Sequence, residues 1–276
     1  MYCLFNISFF ILGLVVGSFL NSVIYRIYKK ESIFFPRSHC PYCNHKLIWK
    51  DLIPVLSFLI LGGKCRYCKK PISLQYPLVE LSTGFLFMFV FRVLLNGYFL
   101  PLQGICLSAF CFSFSLFYFL ISTCFLIVIF IYDLKHYIIP DKIVYPAILV
   151  SGIWYLVSGI FFGLYTNYQI LNAIYSCLGA SLFFFLIWFL SRGKWIGFGD
   201  VKLVFFMGLF LGFPNILVAL FLAFLIGAII GLGFIFFKKK DLSSEIPFGP
   251  FLVTGTFIAL FFGRELINWY LNFLNW

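Results

Sequence analysis

Two aspartates, 67 residues apart, are the carboxylates in this chain whose settings could support chemistry. Asp133 opens the stretch DLKHYIIPD, and Asp200 follows two glycines in GFGDVKL. Charged groups beside long apolar runs are costly, so each needs a reason. A solvated residue at a helix end would explain either aspartate alone. Gly197 and Gly199 indicate that Asp200 is more than a solvated residue at a helix end. Glycines let another backbone approach closely and permit unusual dihedral angles.

If Asp133 and Asp200 meet across a helix interface, one can act as a general acid and the other as a general base. Repulsion between two carboxylates in a poorly hydrated site leaves one ionised and the other protonated at neutral pH. The ionised group takes a proton from water, and the protonated group bonds a scissile carbonyl and then helps the amine leave. This is the arrangement of an aspartic protease. The two groups titrate as a unit, so the proton is not assigned to either one.

A second chemical pattern comes from four cysteines in two C-x2-C pairs, CPYC and CRYC, with 21 residues between the pairs: Cys40, Cys43, Cys65 and Cys68. Each pair suits a knuckle that brings two thiolates to one metal, so the spacing predicts one structural zinc ion. A site closed by four thiolates has no open position for water, and the metal would hold the loop together. Disulfides are the alternative, which a reducing compartment disfavours. His39 and His45 flank the first pair as competing ligands or as plain surface residues.

Composition identifies the elements that must position these residues. The chain of 276 residues is 63% hydrophobic and only 11% charged, with a mean hydropathy of +1.06, which indicates an integral membrane protein. An all-α polytopic fold is expected, because helices satisfy their own backbone hydrogen bonds in lipid. About eight transmembrane helices are predicted, at 4–28, 77–95, 105–132, 143–164, 170–190, 201–213, 215–237 and 248–271. The first is retained, and the sixth is short, either tilted or partly re-entrant.

The distribution of positive charge predicts the orientation. With eight spans, 18 of the 20 Lys and Arg residues fall in loops on one side, which is therefore cytoplasmic, and both termini lie outside. Asp133 and Asp200 both lie on the cytoplasmic face. The net charge of +11 then reflects topology and attraction to anionic lipids, and no nucleic-acid module is visible.

Several ordered stretches carry a resemblance along nearly the whole chain: GLVVGSFLNSVIYR, both cysteine pairs, YPLVELSTG, DLKHYIIPD, GFGDVKL and IPFGPFLVTG. The sequence resembles the type IV prepilin peptidases, membrane aspartic proteases with a GxGD signature. The resemblance implies that Asp133 and Asp200 are the catalytic pair, supported by Gly197 and Gly199. It also implies prepilin or pseudopilin substrates, whose basic leader is cut at the cytoplasmic face of the bacterial inner membrane.

The resemblance extends to a second activity. Bifunctional members of the family N-methylate the new terminal residue with S-adenosyl-L-methionine, and their extra cytoplasmic loop is present here. By that resemblance Gly63 and Lys64 are methylation candidates, with a plain turn and a topology-setting lysine as the alternative. Glu80 could point into the site or serve only as a helix-start carboxylate. A peptidase without methylation remains open, since no glycine-rich cofactor fingerprint is visible.

These expectations divide the chain into three parts: a first transmembrane helix at 1–28, a zinc-ribbon-like cytoplasmic loop and methyltransferase region at 29–76, and a seven-helix peptidase core at 77–276. Two rivals come from other classes. A carboxylate-based ion transporter predicts an acidic group deep within a span, whereas both aspartates fall at span ends. A pilus-assembly scaffold explains the cysteines and leaves the glycines before Asp200 without a reason.

Overall fold

The computed structural model describes residues 2–32, 38–95, 109–160, 167–236 and 246–274. The regular elements within these ranges are helices, with no strand among them, which confirms the predicted all-α class. Two short elements occupy the first long loop: a 3₁₀ turn at Trp49–Leu52 and the helix α2. The α-helices in chain order are α1 (Tyr2–Lys29), α2 (Leu56–Ile60), α3 (Gln75–Leu95), α4 (Ala109–His136), α5 (Asp141–Ile160), α6 (Asn167–Ser191), α7 (Phe198–Leu211), α8 (Asn215–Phe236) and α9 (Gly249–Leu274).

Seven of the described helices are long and apolar enough to cross a membrane: α1, α3, α4, α5, α6, α8 and α9. Their candidate spans contain 19 to 26 residues, which suits a hydrocarbon core of about 30 Å. The protein is therefore a multi-pass membrane protein, as predicted. The predicted start at 105 and the predicted ends at 164 and 237 lie outside the described residues. The helix predicted to end at 132 continues to His136 and includes Asp133.

Helix α7 is the short eighth element. Its 14 residues rise only about 21 Å at 1.5 Å per residue. It runs antiparallel to α6: the rings of Trp188 and Phe198 pack 5.1 Å apart at one end, and Asn172 bonds the backbone of Phe213 at the other. These contacts place α7 and the residues that follow it beside residues 172–188 of α6. That stretch of α6 rises about 24 Å. Ten of the 14 residues are buried, so α7 is an internal helix.

The helices form two compact units, Met1–Asn96 and Gly97–Trp276. In the first unit, α1 and α3 lie antiparallel with their backbones nearly touching. A Cβ atom added to Gly13 would lie 2.7 Å from the Cα atom of Gly84, and one added to Gly17 would lie 2.8 Å from that of Glu80. Small residues allow this close packing, which is a common way to join membrane helices.

The second unit packs its long helices around α7. Helix α7 contacts α5, α6 and α9, and α9 also contacts α4 and α8. Phe206, Leu203 and Met207 of α7 are fully buried against this surround, together with Phe184 of α6. The end of α4 and the beginnings of α7 and α9 meet in this unit and carry the candidate site. The predicted division of the chain into three parts, at residues 28 and 76, concerns function. The packing of the helices does not test it.

Candidate active site

The structure brings Asp133 and Asp200 together. Asp133 lies in the last turn of α4, and Asp200 is the third residue of α7. Both are buried, with 4% and 8% of their surfaces exposed, and their carboxyl groups lie close enough to interact electrostatically. Two buried carboxylates in mutual range are a suitable pair for general acid and base chemistry.

Each carboxylate accepts a backbone hydrogen bond from the beginning of a helix. The N–H group of Gly249, the first residue of α9, donates to Oδ2 of Asp133 at 3.1 Å. The N–H group of Gly197, which precedes α7, donates to Oδ2 of Asp200 at 3.2 Å. Helix N-termini carry partial positive charge, so both contacts stabilise the ionised form of a carboxyl group. Three helix ends therefore position the pair.

Ile139 packs between the two halves of this site. A Cβ atom added to Gly199 would lie 3.0 Å from Cβ of Ile139, so a side chain, rather than the backbone expected from the sequence, lies closest to this glycine. A Cβ atom added to Gly249 would lie 3.4 Å from Cδ1 of the same isoleucine and only 2.5 Å from Oδ2 of Asp133. The expectation of unusual backbone angles at Gly197 is wrong. Its φ of −73° and ψ of 149° are extended values that any residue adopts.

Lys202, in the second turn of α7, contacts the beginning of α5. Its Nζ atom lies 2.7 Å from Oδ1 of Asp141 and 4.9 and 5.1 Å from the ring centres of Tyr145 and Phe198. From the sequence, Lys202 is read as a topology-setting charge and Asp141 as a helix cap. The structure adds a contact between them, and α5 begins at Asp141.

Gly249 is the residue that sequence reasoning missed. The stretch IPFGPFLVTG supports the resemblance, yet nothing in it points to Asp133, which lies 116 residues earlier. One local signal was available. Pro250 marks the first turn of a helix, where the free N–H groups and positive end can receive a carboxylate.

The four cysteines form one cluster built from two knuckles of the same design. In the first, the N–H of Cys40 bonds the carbonyl of His45, and the N–H of Asn44 bonds that of Cys40. In the second, Cys65, Lys70 and Lys69 repeat these contacts at the same spacing. Asn44 and Lys69 occupy equivalent positions with φ of 55° and 60°.

The cluster fits a tetrahedral metal. The four Sγ atoms lie within 4.8 Å of one another, and those of Cys40 and Cys68 are 3.9 Å apart. Four bonds of 2.3 Å to zinc would separate the sulfurs by about 3.8 Å. All four are free cysteines, so the disulfide alternative is not found. Within the described residues the cluster contains no histidine.

Gly63 and Lys64 connect α2 to the second knuckle. Gly62 and Gly63 have φ of 57° and 68°, a left-handed conformation that glycine adopts readily. The N–H of Gly63 bonds the carbonyl of Phe58 at 2.9 Å, and its own carbonyl accepts from Ile72 at 2.7 Å. Lys64 is exposed. The geometry is that of a turn, and a role in methylation stays a prediction.

Glu80 points toward the loop of its own unit. Its Oε2 atom accepts the N–H of Val55 at 2.8 Å, although Glu80 lies in the second turn of α3. The buried carboxylate thus does more than begin a helix, since it fixes the residue that precedes α2.

Comparison with known proteins matches both units. Residues 11–94 match the bacterial peptidase A24 N-terminal domain, and residues 120–232 match the type IV leader peptidase family. A protein of Aeromonas hydrophila named prepilin leader peptidase/N-methyltransferase is 32% identical over 96% of this chain and 93% of its own length. A protein of the same name from Pseudomonas aeruginosa is 30% identical over 95% and 92%, respectively. No solved structure matches the chain.

Proposed function

Because the chain belongs to the type IV leader peptidase family, we propose that it removes the basic leader from prepilins or pseudopilins and N-methylates the new terminal residue. The relatives that match nearly its whole length carry both activities in their name. The meeting of Asp133 and Asp200 is the observation that supports cleavage most directly. Their burial and mutual range are what a pair of carboxylates needs to share one proton.

In the proposed cleavage step, the ionised aspartate removes a proton from the attacking water. The protonated aspartate bonds the carbonyl oxygen of the scissile peptide and later gives its proton to the leaving amine. The amides of Gly249 and Gly197 hold one oxygen of each carboxylate, which leaves the other oxygen of each for water and substrate. Ile139 excludes solvent beside the pair, and the glycines bring it close.

The proposed site lies at the cytoplasmic face of the bacterial inner membrane, on the side that holds most of the positive charge. A basic leader is not attracted to a basic surface. Binding therefore relies on packing of the substrate's hydrophobic helix and on attraction of the leader to anionic lipids.

Methylation is proposed for the loop that precedes α3. S-adenosyl-L-methionine would supply the methyl group, Lys64 could pair with its carboxylate, and Gly63 would present backbone without a side chain. The four cysteines would hold one zinc ion, which keeps the loop folded and takes no part in the reaction.

The transporter alternative is less well supported. It needs an acidic group deep within a span, where it could bind or relay a cation. In the described part of the chain, the buried carboxylates Asp133, Asp200 and Glu80 all lie within two turns of a helix end.

The mass of a prepilin before and after incubation with the membrane-embedded protein tests both activities. We expect loss of the leader and, with S-adenosyl-L-methionine present, a gain of one methyl group on the mature N-terminus. Asp133→Asn and Asp200→Asn should each lower cleavage by at least about 100-fold, the effect of one general acid or base. Glu265→Gln, an exposed carboxylate of α9, is the control and should cleave normally.

Clear processing by either aspartate variant would contradict the pair mechanism. Cleavage without methylation would restrict the protein to a peptidase, which is the alternative left open by its sequence.

A further inference from the structure

The loop between α1 and α3 exposes large apolar side chains outside the predicted spans. Trp49 is 70% exposed and Ile60 is 79% exposed. The exposed residues of the 3₁₀ turn and α2, with Ile48 before the turn, are named here the loop apolar patch: Ile48, Trp49, Leu52, Leu56, Leu59 and Ile60. A loop surrounded only by water would lose stability by exposing such a group of residues, and patches of this kind usually mark an interaction surface.

Helical spacing places these residues on shared faces. In α2, Leu56, Leu59 and Ile60 follow the i, i+3, i+4 pattern and lie on one side. In the 3₁₀ turn, Trp49 and Leu52 are three residues apart and are eclipsed. The turn and α2 also contact each other. Phe58, on another face of α2, instead packs beside Gly63, where an added Cβ atom would lie 3.1 Å from its ring.

The contact between Val55 and Glu80 fixes the height of α2 relative to the membrane. Helix α3 has 21 residues, about 30 Å, which equals the thickness of the hydrocarbon core. Glu80 lies five residues beyond the start at Gln75, or about 7.5 Å inside that end. The N–H of Val55, which immediately precedes α2, bonds Glu80 at this height. Amphipathic helices in a membrane surface sink to about 5–10 Å, so α2 begins at the depth of an interfacial helix.

Val55, which immediately precedes α2, has a rare backbone conformation. Val55 has φ of 59° and ψ of −49°, and the N–H of Leu56 bonds the carbonyl of Pro54 across it, forming a γ-turn with positive φ. Such a turn is rare and strained, the more so for a β-branched residue. The hydrogen bond from Val55 to Glu80 ties this turn, and with it the beginning of α2, to α3.

Charge identifies the lipids that would receive this surface. Residues 29–76 contain nine Lys or Arg and two acidic residues. Lys50 lies 5.5 Å from the ring of Trp49, so a cation accompanies the aromatic residue at the edge of the loop apolar patch. Tryptophan prefers the membrane–water interface, and lysines near an anionic surface are attracted to it.

We propose that the loop apolar patch inserts into the anionic cytoplasmic leaflet, so that α2 and the 3₁₀ turn form an in-plane membrane anchor for the four-cysteine loop. The loop is then a module bound at the lipid surface on three sides, through α1, through α3 and through the patch. This inference uses the first unit alone and does not depend on the proposed catalytic pair.

A photo-reactive diazirine amino acid at Leu59 tests the anchor in the full-length protein. The protein is placed in nanodiscs that contain phosphatidylglycerol, illuminated, and analysed by mass spectrometry. We expect acyl-chain adducts at Leu59 in several-fold greater yield than from the same probe at Phe58, the matched control on the packed face of α2. Zinc content and prepilin cleavage verify that both labelled proteins are folded.

Two further conditions separate the lipid from other occupants. Added prepilin should leave the lipid adduct at Leu59 in place, and nanodiscs of phosphatidylcholine should lower its yield by at least about twofold, because the electrostatic attraction is lost. Adducts at Leu59 only with water, with a second copy of the chain or with added prepilin would overturn the anchor. Equal yields in the two lipids would overturn the requirement for anionic lipid.

Discussion

Gly249 shows how much at this site depends on a missing side chain. Its N–H group bonds Asp133, and its Cα atom lies so close that a methyl group would stand 2.5 Å from the carboxylate oxygen. No real Cβ contact is that short, so alanine would force Asp133 or α9 to move. Displacements of about 1 Å at a catalytic group can reduce the rate about 100-fold.

Gly249→Ala should therefore lower prepilin cleavage by about 100-fold while the protein still inserts and binds metal. Gly152→Ala is the matched control, because an added Cβ atom at that glycine of α5 meets nothing within 4 Å. It should retain normal cleavage, and alanine in a helix adds up to about 1 kcal/mol of stability. The measurement is initial cleavage rate, with thermal stability recorded for both variants. Full activity of Gly249→Ala would contradict the positioning of Asp133 by α9.

The residues that could be predicted from sequence are those with a local or compositional signal. Asp200 follows two glycines, and the cysteines keep a fixed spacing. Gly249 could not be assigned to Asp133, because their contact joins residues 116 positions apart and leaves no mark in either stretch. The ion pair of Lys202 with Asp141 was hidden for the same reason. Asp141 is 59% exposed there, so the pair contributes about 0–1 kcal/mol and mainly orients α7 against α5.

Among the elements, the two knuckles were predictable and the short helix between them was not. Each knuckle is closed by hydrogen bonds between residues five positions apart or fewer, which is why C-x2-C spacing predicts it. Helix α2 has only five residues, too few to be stable alone. Its position comes from the γ-turn at Val55 and from the bond to Glu80, and that bond needs α3 in place.

Purified protein should contain about one zinc ion per chain, as expected for a single four-thiolate site. Cys65→Ser removes one ligand and should lower the zinc content at least about tenfold under mild chelation, since structural sites need all four ligands. Cys177→Ser, at a buried position in α6, is the control and should keep its zinc. Elemental analysis and amide exchange of residues 40–70 would be measured together. A zinc-free native protein, or unchanged zinc in Cys65→Ser, would contradict the site.

At the scale of the whole molecule, the path of α7 decides the side on which the chain ends. Seven long spans alone would place the two termini on opposite sides of the membrane. Helix α7 and Phe213 after it lie alongside α6 from Trp188 to Asn172. Despite its 14 residues, α7 therefore completes most of a crossing. Long neighbours shield it from lipid, which removes the usual penalty for a short span. If α7 does cross, we expect the eight crossings predicted from the sequence, with both termini on one side.

Alkaline phosphatase fused after residue 274 should therefore be active, because that enzyme folds only outside the cytoplasm. The same fusion after Lys194, between α6 and α7, should be at least about tenfold less active, because the positive charges keep that loop inside. Expression of each fusion would be checked by immunoblot. An inactive fusion after residue 274 with a stable, full-length product would mean that α7 does not cross.

The repeated knuckles have a consequence for the order in which the protein is made. Both knuckles precede α3 in the chain and close through local contacts, so metal capture needs only α1 in the membrane and the following 41 residues outside the ribosome. Because domains form as they leave the ribosome, the cysteine loop can fold before α4, α7 or α9 has been translated. The bond from Val55 to Glu80 comes later, when α3 inserts. We therefore expect biosynthesis to form the knuckles first, to add the contact between Val55 and Glu80 second, and to complete the surroundings of Asp133 and Asp200 only with α9.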